Sequence, residues 1–183
     1  EDKKAERGMT EILQSDGNKL GRHEGQNLFT IDGHKPQEVI TPVSIDQLSE
    51  TLRIANEQRR AVAPIGLGAF LHLGAPPRQY DVALSSQRLN HVVDYQPTDM
   101  TVTVEAGMPL AHLQRVLGEH GQWLPIDPPQ PEHATIGGII AANLSGPARL
   151  SQGTIRDALL GLKVVRADGT VIKGGGKVVK NVA

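Results

Sequence analysis

The chain has 183 residues, a formal net charge of −1, 20 glycines, 12 prolines and no cysteine. That length suits one domain or two small lobes, and the near-zero charge supplies no field to draw it onto nucleic acid or an anionic membrane. The missing thiols exclude disulfides and cysteine-ligated zinc or iron–sulfur centres within the chain and fit a reducing compartment, while no apolar run reaches bilayer-spanning length.

Residues 1–28 are charged, dotted with glycine and weakly periodic, which predicts a loose lead-in with at most one helical turn over 10–13. Residues 39–43 predict a short strand. Ser44 then starts a helix: Ser44 and Gln47 stand at capping-box spacing, and Ile45, Leu48, Leu52 and Ala55 fall on one face at the helical period. Residues 59–64 predict a second strand, so a β-α-β unit is expected, with its two strands paired in parallel through a right-handed crossover. Directly after comes the turn Pro64-Ile65-Gly66-Leu67-Gly68-Ala69-Phe70-Leu71-His72-Leu73-Gly74. Glycine turns at the carboxyl ends of strands are where α/β units hold phosphates. No Gly-Lys-Ser/Thr closes this one, and Leu71 stands where a dinucleotide fingerprint has its third glycine. An ordinary turn is the competing reading.

Residues 81–84 and 91–95 predict strands, 96–99 a turn, and 101–105 a strand with Val102 and Val104 on one face and Thr101, Thr103 and Glu105 on the other. Gly107 and Pro109 open a helix with Leu110, Leu113 and Leu117 on its apolar face and Gly121 placed to stop it. An extended piece over 122–126 leads into Asp127-Pro128-Pro129, where two prolines stiffen the chain. The stretch 134–157 is rich in small residues and carries no acid between Thr135 and Gly153. Thr135 is placed to cap a short helix through Ala142. The Gly137-Gly138 pair offers amides with no Cβ in the way, and such a helix start is a ready anion site. Tight packing of helix on sheet is the competing reading. Residues 159–166, a turn at Asp168-Gly169 and residues 170–173 predict a closing hairpin.

Seven histidines show no metal-ligand spacing, and Ser145 lacks the first glycine of a nucleophile elbow. No metal site is predicted and the catalytic residues stay unknown. What remains is two glycine turns suited to one extended dinucleotide lying between two lobes, with Arg149 and Arg156 as cationic forks nearby or as members of surface ion pairs. Glu1 is not an initiator, and the chain stops just after a triple glycine, so a piece of a longer protein is expected.

Taken in order, P-x-G-x-G-x5-G at 64–74, V-x-V-E-A-G at 102–107, L-P-I-D-P-P at 124–129, A-T-I-G-G at 134–138 and R-D-x-x-L-G-x-x-V-V-x-A-D-G at 156–169 form a specific set. The set resembles the FAD-binding domain of the vanillyl-alcohol-oxidase and p-cresol-methylhydroxylase (PCMH) superfamily. G-P-A-R at 146–149 and G-G-G-K-V-V-K-N-V-A at 174–183 look like the FAD-binding subunits of glycolate oxidase within it. The resemblance implies an α+β, two-lobed FAD-binding domain: a flexible lead-in over 1–28, a small β-α-β lobe over 29–90, and a mixed or antiparallel sheet lobe with helices over 91–183, incomplete at its end and without a substrate cap. FAD would lie in the seam. Pro64 and the Gly66, Leu67, Gly68, Ala69 and Phe70 turn would hold its pyrophosphate. Pro128, Thr135, Ile136, Gly137 and Gly138 would press on it, and Asn143, Gly146, Arg149 and Gly153 would lie toward the flavin half. In some relatives a histidine directly after the paired glycines binds flavin covalently. Ala69 stands there and His72 comes three residues late, so non-covalent FAD is expected.

The activity implied is that of a flavin-dependent dehydrogenase or oxidase of a small 2-hydroxy acid such as glycolate. Electrons would pass to a partner iron–sulfur subunit beside a sister flavin subunit. The expected place is the cytoplasm, with any attachment to the inner membrane face made through those partners. A non-catalytic FAD-binding or assembly subunit and a cofactor-free interaction module are the alternatives.

Overall fold

The computed structural model describes residues 29–177; the helical turn expected over 10–13 and the 178–183 end of the second resemblance lie outside them. Strand β1 (Glu38–Ile40), helix α1 (Ile45–Glu57), strand β2 (Val62–Ile65) and strand β3 (Val82–Ser85) build a three-stranded parallel sheet. Its order is β1-β3-β2. The expected direct pairing of β1 with β2 is therefore corrected, because β3 runs between them. All four residues of β3 are buried, as a central strand covered on both faces requires. Val82 and Leu84 meet Leu48 and Leu52 of α1. Ala83 points the other way, into a cluster with Phe29, Ile65 and Tyr80, as the two-residue period of a strand dictates.

Helix α1 starts as the capping spacing predicts. Ser44 Oγ accepts from the Gln47 N–H at 3.2 Å, and Gln47 Oε1 accepts from the Val43 N–H at 2.9 Å, one residue further back than a standard box. Its fully buried positions are Thr51 and Ala55, with Leu48 and Leu52 beside them. Ile45 stays 37% exposed at the first turn, so the apolar stripe begins one turn later than expected.

A buried acid fastens the foot of this sheet. The Asp81 carboxylate accepts from the Ala61 N–H at 2.7 Å, Gln79 Nε2 at 2.6 Å and Gln37 Nε2 at 2.9 Å. Beside it, Tyr80 donates to the Phe29 carbonyl at 2.9 Å, and burial pushes its hydroxyl up to about 12. The folded state thus favours the neutral phenol, whose ordinary value is about 10. That contribution is complete below pH about 10 and is lost as pH rises through the folded value, so the fold should weaken by ~2–3 kcal/mol between pH about 10 and 12. Urea midpoints across this range should show the slope in the wild type and lose it in Tyr80→Phe; an unchanged slope in the variant would assign the alkaline loss elsewhere.

Strands β4 (Val92–Gln96) and β5 (Thr101–Val104) form an antiparallel pair. Helix α2 (Leu110–Gly118) buries Leu110, Leu113 and Leu117, as its spacing predicts. The extended piece at 122–126 joins no ladder. It is held instead by the Gln114 side chain, which donates to the Leu124 carbonyl at 2.7 Å and accepts from the Leu124 N–H at 2.9 Å. Helices α3 (Ile136–Ala142), α4 (Arg149–Gln152) and α5 (Ile155–Ala158) follow, then the antiparallel hairpin of β6 (Gly161–Val165) and β7 (Val171–Gly175). The fold is α+β, and its later strands make two separate antiparallel pairs instead of one mixed sheet. A single core joins Met108, Leu110, Leu113, Ile136, Ile139 and Ile155, and Ala69 from the first glycine turn is part of it. At the hairpin tip, buried Gly169 rests on α1, where Ser49 Oγ donates to its carbonyl at 2.5 Å.

Candidate functional site

Strand β2 ends at Ile65, and the chain turns away from the sheet over residues 66–70. The amides of Gly66, Leu67, Gly68, Ala69 and Phe70 find no hydrogen-bond acceptor among the described residues. Several carbonyls of the same segment are tied down. Ile65 O accepts from the Ser86 N–H at 2.9 Å, Gly68 O from the Leu71 N–H at 3.3 Å and Phe70 O from the Leu73 N–H at 3.1 Å. Gly66 O accepts from Gln87 Nε2 at 3.3 Å. Gly68 takes a left-handed φ of 84°. Successive amides without acceptors around such a residue make an anion cradle.

The second glycine turn lies against the first. A Cβ on Gly66 would stand 2.3 Å from Thr135 Oγ1, and one on Gly138 would stand 3.6 Å from the Phe70 ring. Ala69 is only 8% exposed and sits in the core built by α2 and α3. The two turns predicted to share a site are thus brought together. Their amides differ, however. The Ile136 N–H donates to Met108 O at 2.9 Å, and the Gly137 N–H to Ala106 O at 2.8 Å. The Gly138 N–H donates to Thr135 Oγ1 at 3.2 Å, the cap expected of Thr135. The expectation of a free anion-binding helix start here is corrected: the donors are committed inside the chain. Gly137 is small because a Cβ there would stand 2.8 Å from both Ala106 Cβ and Ala106 O. A bulky residue at Gly137 would undo helix packing before it touched any ligand. The second turn can offer a wall, and the first supplies the donors.

The remaining candidates form a supporting rim. Pro128 is buried. Its neighbour Asp127 accepts from the Ala148 N–H at 3.1–3.2 Å, and Gly146 abuts it so closely that a Cβ would lie 1.9 Å from Asp127 O. The D-P-P and G-P-A-R segments are one contact. Asn143 ends α3 in a left-handed conformation with φ 48°. Gly153, with φ 82°, lies against Asp157. The Thr154 N–H and hydroxyl donate to the Asp157 carboxylate at 2.7 and 2.9 Å and hold it below the usual carboxylate range. Arg149 and Arg156 are exposed and enter no ion pair among the described residues. Pro64 and Leu67 are exposed at the edge of the cradle.

An open cleft of about 310 Å³ adjoins the cradle, with Gly68, Ala69, Leu71 and His72 on one side and Thr30, Asp32 and Gln130 completing it. No three His, Asp or Glu side chains gather as a metal-binding group among the described residues. Two residues that matter to the site were not singled out by the sequence. Gly107, read as a helix opener and as the end of the 102–107 motif but not as a site residue, accepts the 86–89 loop onto its bare Cα: a Cβ would lie 1.8 Å from Ser86 O. Gln87 reaches the cradle from behind. The run Glu105-Ala106-Gly107 at a strand end was the available signal for the first, and nothing local marks the second.

A family model described as the FAD binding domain matches residues 36–175. The glycolate oxidase subunit GlcD of Bacillus subtilis (strain 168) is 34% identical over 148 residues, 81% of this chain and 32% of that protein. The glycolate oxidase subunit GlcE of Escherichia coli (strain K12) is 41% identical over 93 residues, 50% of this chain and 27% of that protein. The probable mitochondrial D-lactate dehydrogenase of Danio rerio is 34% identical over 142 residues, 78% of this chain and 28% of that protein. The chain therefore spans between 27% and 32% of the length of these three relatives. Among solved structures, alkyldihydroxyacetonephosphate synthase shares the fold with a TM-score of 0.67 at 23% identity, over 76% of this chain and 28% of that one.

Proposed function

The chain belongs to the FAD binding domain family, and from that premise we propose that it is the FAD-holding part of a flavin-dependent oxidoreductase of small 2-hydroxy acids. The observation that carries this reading is the row of five acceptor-free amides from Gly66 to Phe70, set directly against Thr135. A pyrophosphate needs several donors and gains from fixed main-chain dipoles that require no charged side chain. The residues present fit that demand.

In this reading the 66–70 amides bind the pyrophosphate, and Thr135, Ile136 and Gly138 form the wall it rests on. The Asp127–Ala148 contact fixes the 146–149 loop that presents Arg149. When bound, FAD supplies two-electron hydride acceptance, and the protein supplies position and electrostatics. In this reading FAD is held without a covalent bond, because the position directly after the paired glycines carries Ala69, whose methyl group is buried. Glycolate and D-lactate are the substrate types named by the relatives. The likeness to two differently named glycolate oxidase subunits supports a multi-subunit assembly; to this the proposal adds a sister flavin subunit, an iron–sulfur subunit as the route for electrons, and a cytoplasmic place.

The test is spectroscopic. The purified full-length protein should be yellow or should take up added FAD, and should release it on denaturation. Anaerobic glycolate or D-lactate should then bleach the flavin. FAD retained without bleaching would place the oxidation in another subunit. A protein that ignores added FAD would overturn the reading.

A further inference from the structure

We propose that Gln87 is a positioning residue for the anion cradle, acting by holding one peptide of the glycine turn in the orientation that presents the Leu67 N–H. The inference rests on the FAD reading and deepens it. In a trans peptide the C=O and the following N–H point in opposite directions, and every described peptide here is trans. Tying back a carbonyl therefore aims the next amide the other way. Ile65 O is tied back by Ser86, through its N–H at 2.9 Å and its hydroxyl at 3.4 Å, which aims the Gly66 N–H. Gly66 O is tied back by Gln87 Nε2 at 3.3 Å, which aims the Leu67 N–H. The first restraint is largely main chain. The second is a single side chain.

That side chain matters because Gly66 resists rotation so little. With no Cβ, its ψ has nearly free choice, so the Gly66–Leu67 peptide can flip unless something holds its oxygen. Gln87 is itself braced. Its N–H donates to buried Ser85 Oγ at 3.4 Å, and its carbonyl accepts from Asn90 Nδ2 at 2.9 Å. Below this loop the Gly107 N–H donates to Leu89 O at 2.7 Å. The 86–89 loop is thus held from below by Gly107, and Gln87 is its polar contact with the Gly66–Leu67 peptide.

The experiment compares the full-length wild type with Gln87→Met, which keeps side-chain length and loses the donor, and with Gln87→Lys, which keeps a donor. Dissociation constants are measured for FAD and for riboflavin, which has no pyrophosphate. Losing one orienting hydrogen bond should weaken FAD about five- to tenfold in Gln87→Met. Riboflavin affinity should not change, and Gln87→Lys should restore FAD binding. If Gln87→Met does not fold, Gln87→Asn, one methylene short of Gly66, carries the same comparison. Equal weakening of both flavins would show general loosening and overturn the proposal, as would unchanged FAD affinity. A wild type that binds no FAD overturns the FAD reading together with the role of Gln87. Wild-type binding with unaltered variants overturns the role of Gln87 alone.

Discussion

Gly107→Ala is expected to cost the protein more than ~4 kcal/mol, enough to unfold it or leave it barely folded. One added methyl group would stand 1.8 Å from Ser86 O and 2.7 Å from Leu89 O, both main-chain atoms of the loop behind the cradle. A flexible side chain could swing aside, but these carbonyls cannot. The Leu89 oxygen is bonded to the Gly107 N–H at 2.7 Å, and Met108, the next residue, is fully buried. Retreat in either direction breaks a hydrogen bond or opens the core. Gly118 is the internal control. It lies in the last turn of α2 with nothing within 4 Å of an added methyl, so Gly118→Ala should be neutral or stabilising by up to ~1 kcal/mol. The urea midpoints of the two variants should differ by ~1 M or more. Stabilities within ~1 kcal/mol of each other would show that the close approach at Gly107 is not what the fold depends on.

Gly66→Ala is the second large effect, and it should fall on cofactor retention. The new Cβ would stand 2.3 Å from Thr135 Oγ1 and 2.9 Å from Thr135 Cγ2. The two glycine turns would have to part, and the wall would move away from the donors. Overpacking of this kind costs ~1–3 kcal/mol, which corresponds to a roughly ten- to hundredfold loss of FAD affinity if the strain is released by opening the site. Because the clash is with a side chain, it should be relievable. In Gly66→Ala/Thr135→Ala the offending oxygen and methyl are gone and only Cβ remains, at 3.1 Å. Thr135→Ala alone loses the α3 cap, worth ~1 kcal/mol. A double-mutant cycle on FAD affinity should therefore show favourable coupling. Purely additive losses would mean that the two turns do not touch in solution.

Local chemistry made much of this readable in advance. Ser44 and Gln47 announced α1, the Leu110, Leu113 and Leu117 spacing announced α2, and Thr135 was marked as a cap and is one. Each of those signals acts within a few residues of itself. Sheet order does not. The insertion of β3 between β1 and β2 depends on which strand can be covered on both faces, and the competing β1–β2 pairing has equally good local patterning. The glycines divide in the same way. That Gly137 is small was plain, but the reason is the Ala106 carbonyl some thirty positions earlier, and an amide in a sequence does not disclose its acceptor. Gln87 is the extreme case: an unremarkable polar loop residue until the Gly66 oxygen is placed beside it.

The Ser49–Gly169 hydrogen bond joins positions 120 residues apart, and this has a consequence for biosynthesis. A growing polypeptide at ~5–20 residues per second needs roughly 6–24 s to make that stretch. Throughout that interval the outer surface of α1 must wait without the hairpin tip that covers it. The parallel sheet can condense early on the ribosome, while the seal over its helix arrives last, so a nascent chain stalled before Gly169 would present that helix to chaperones and proteases.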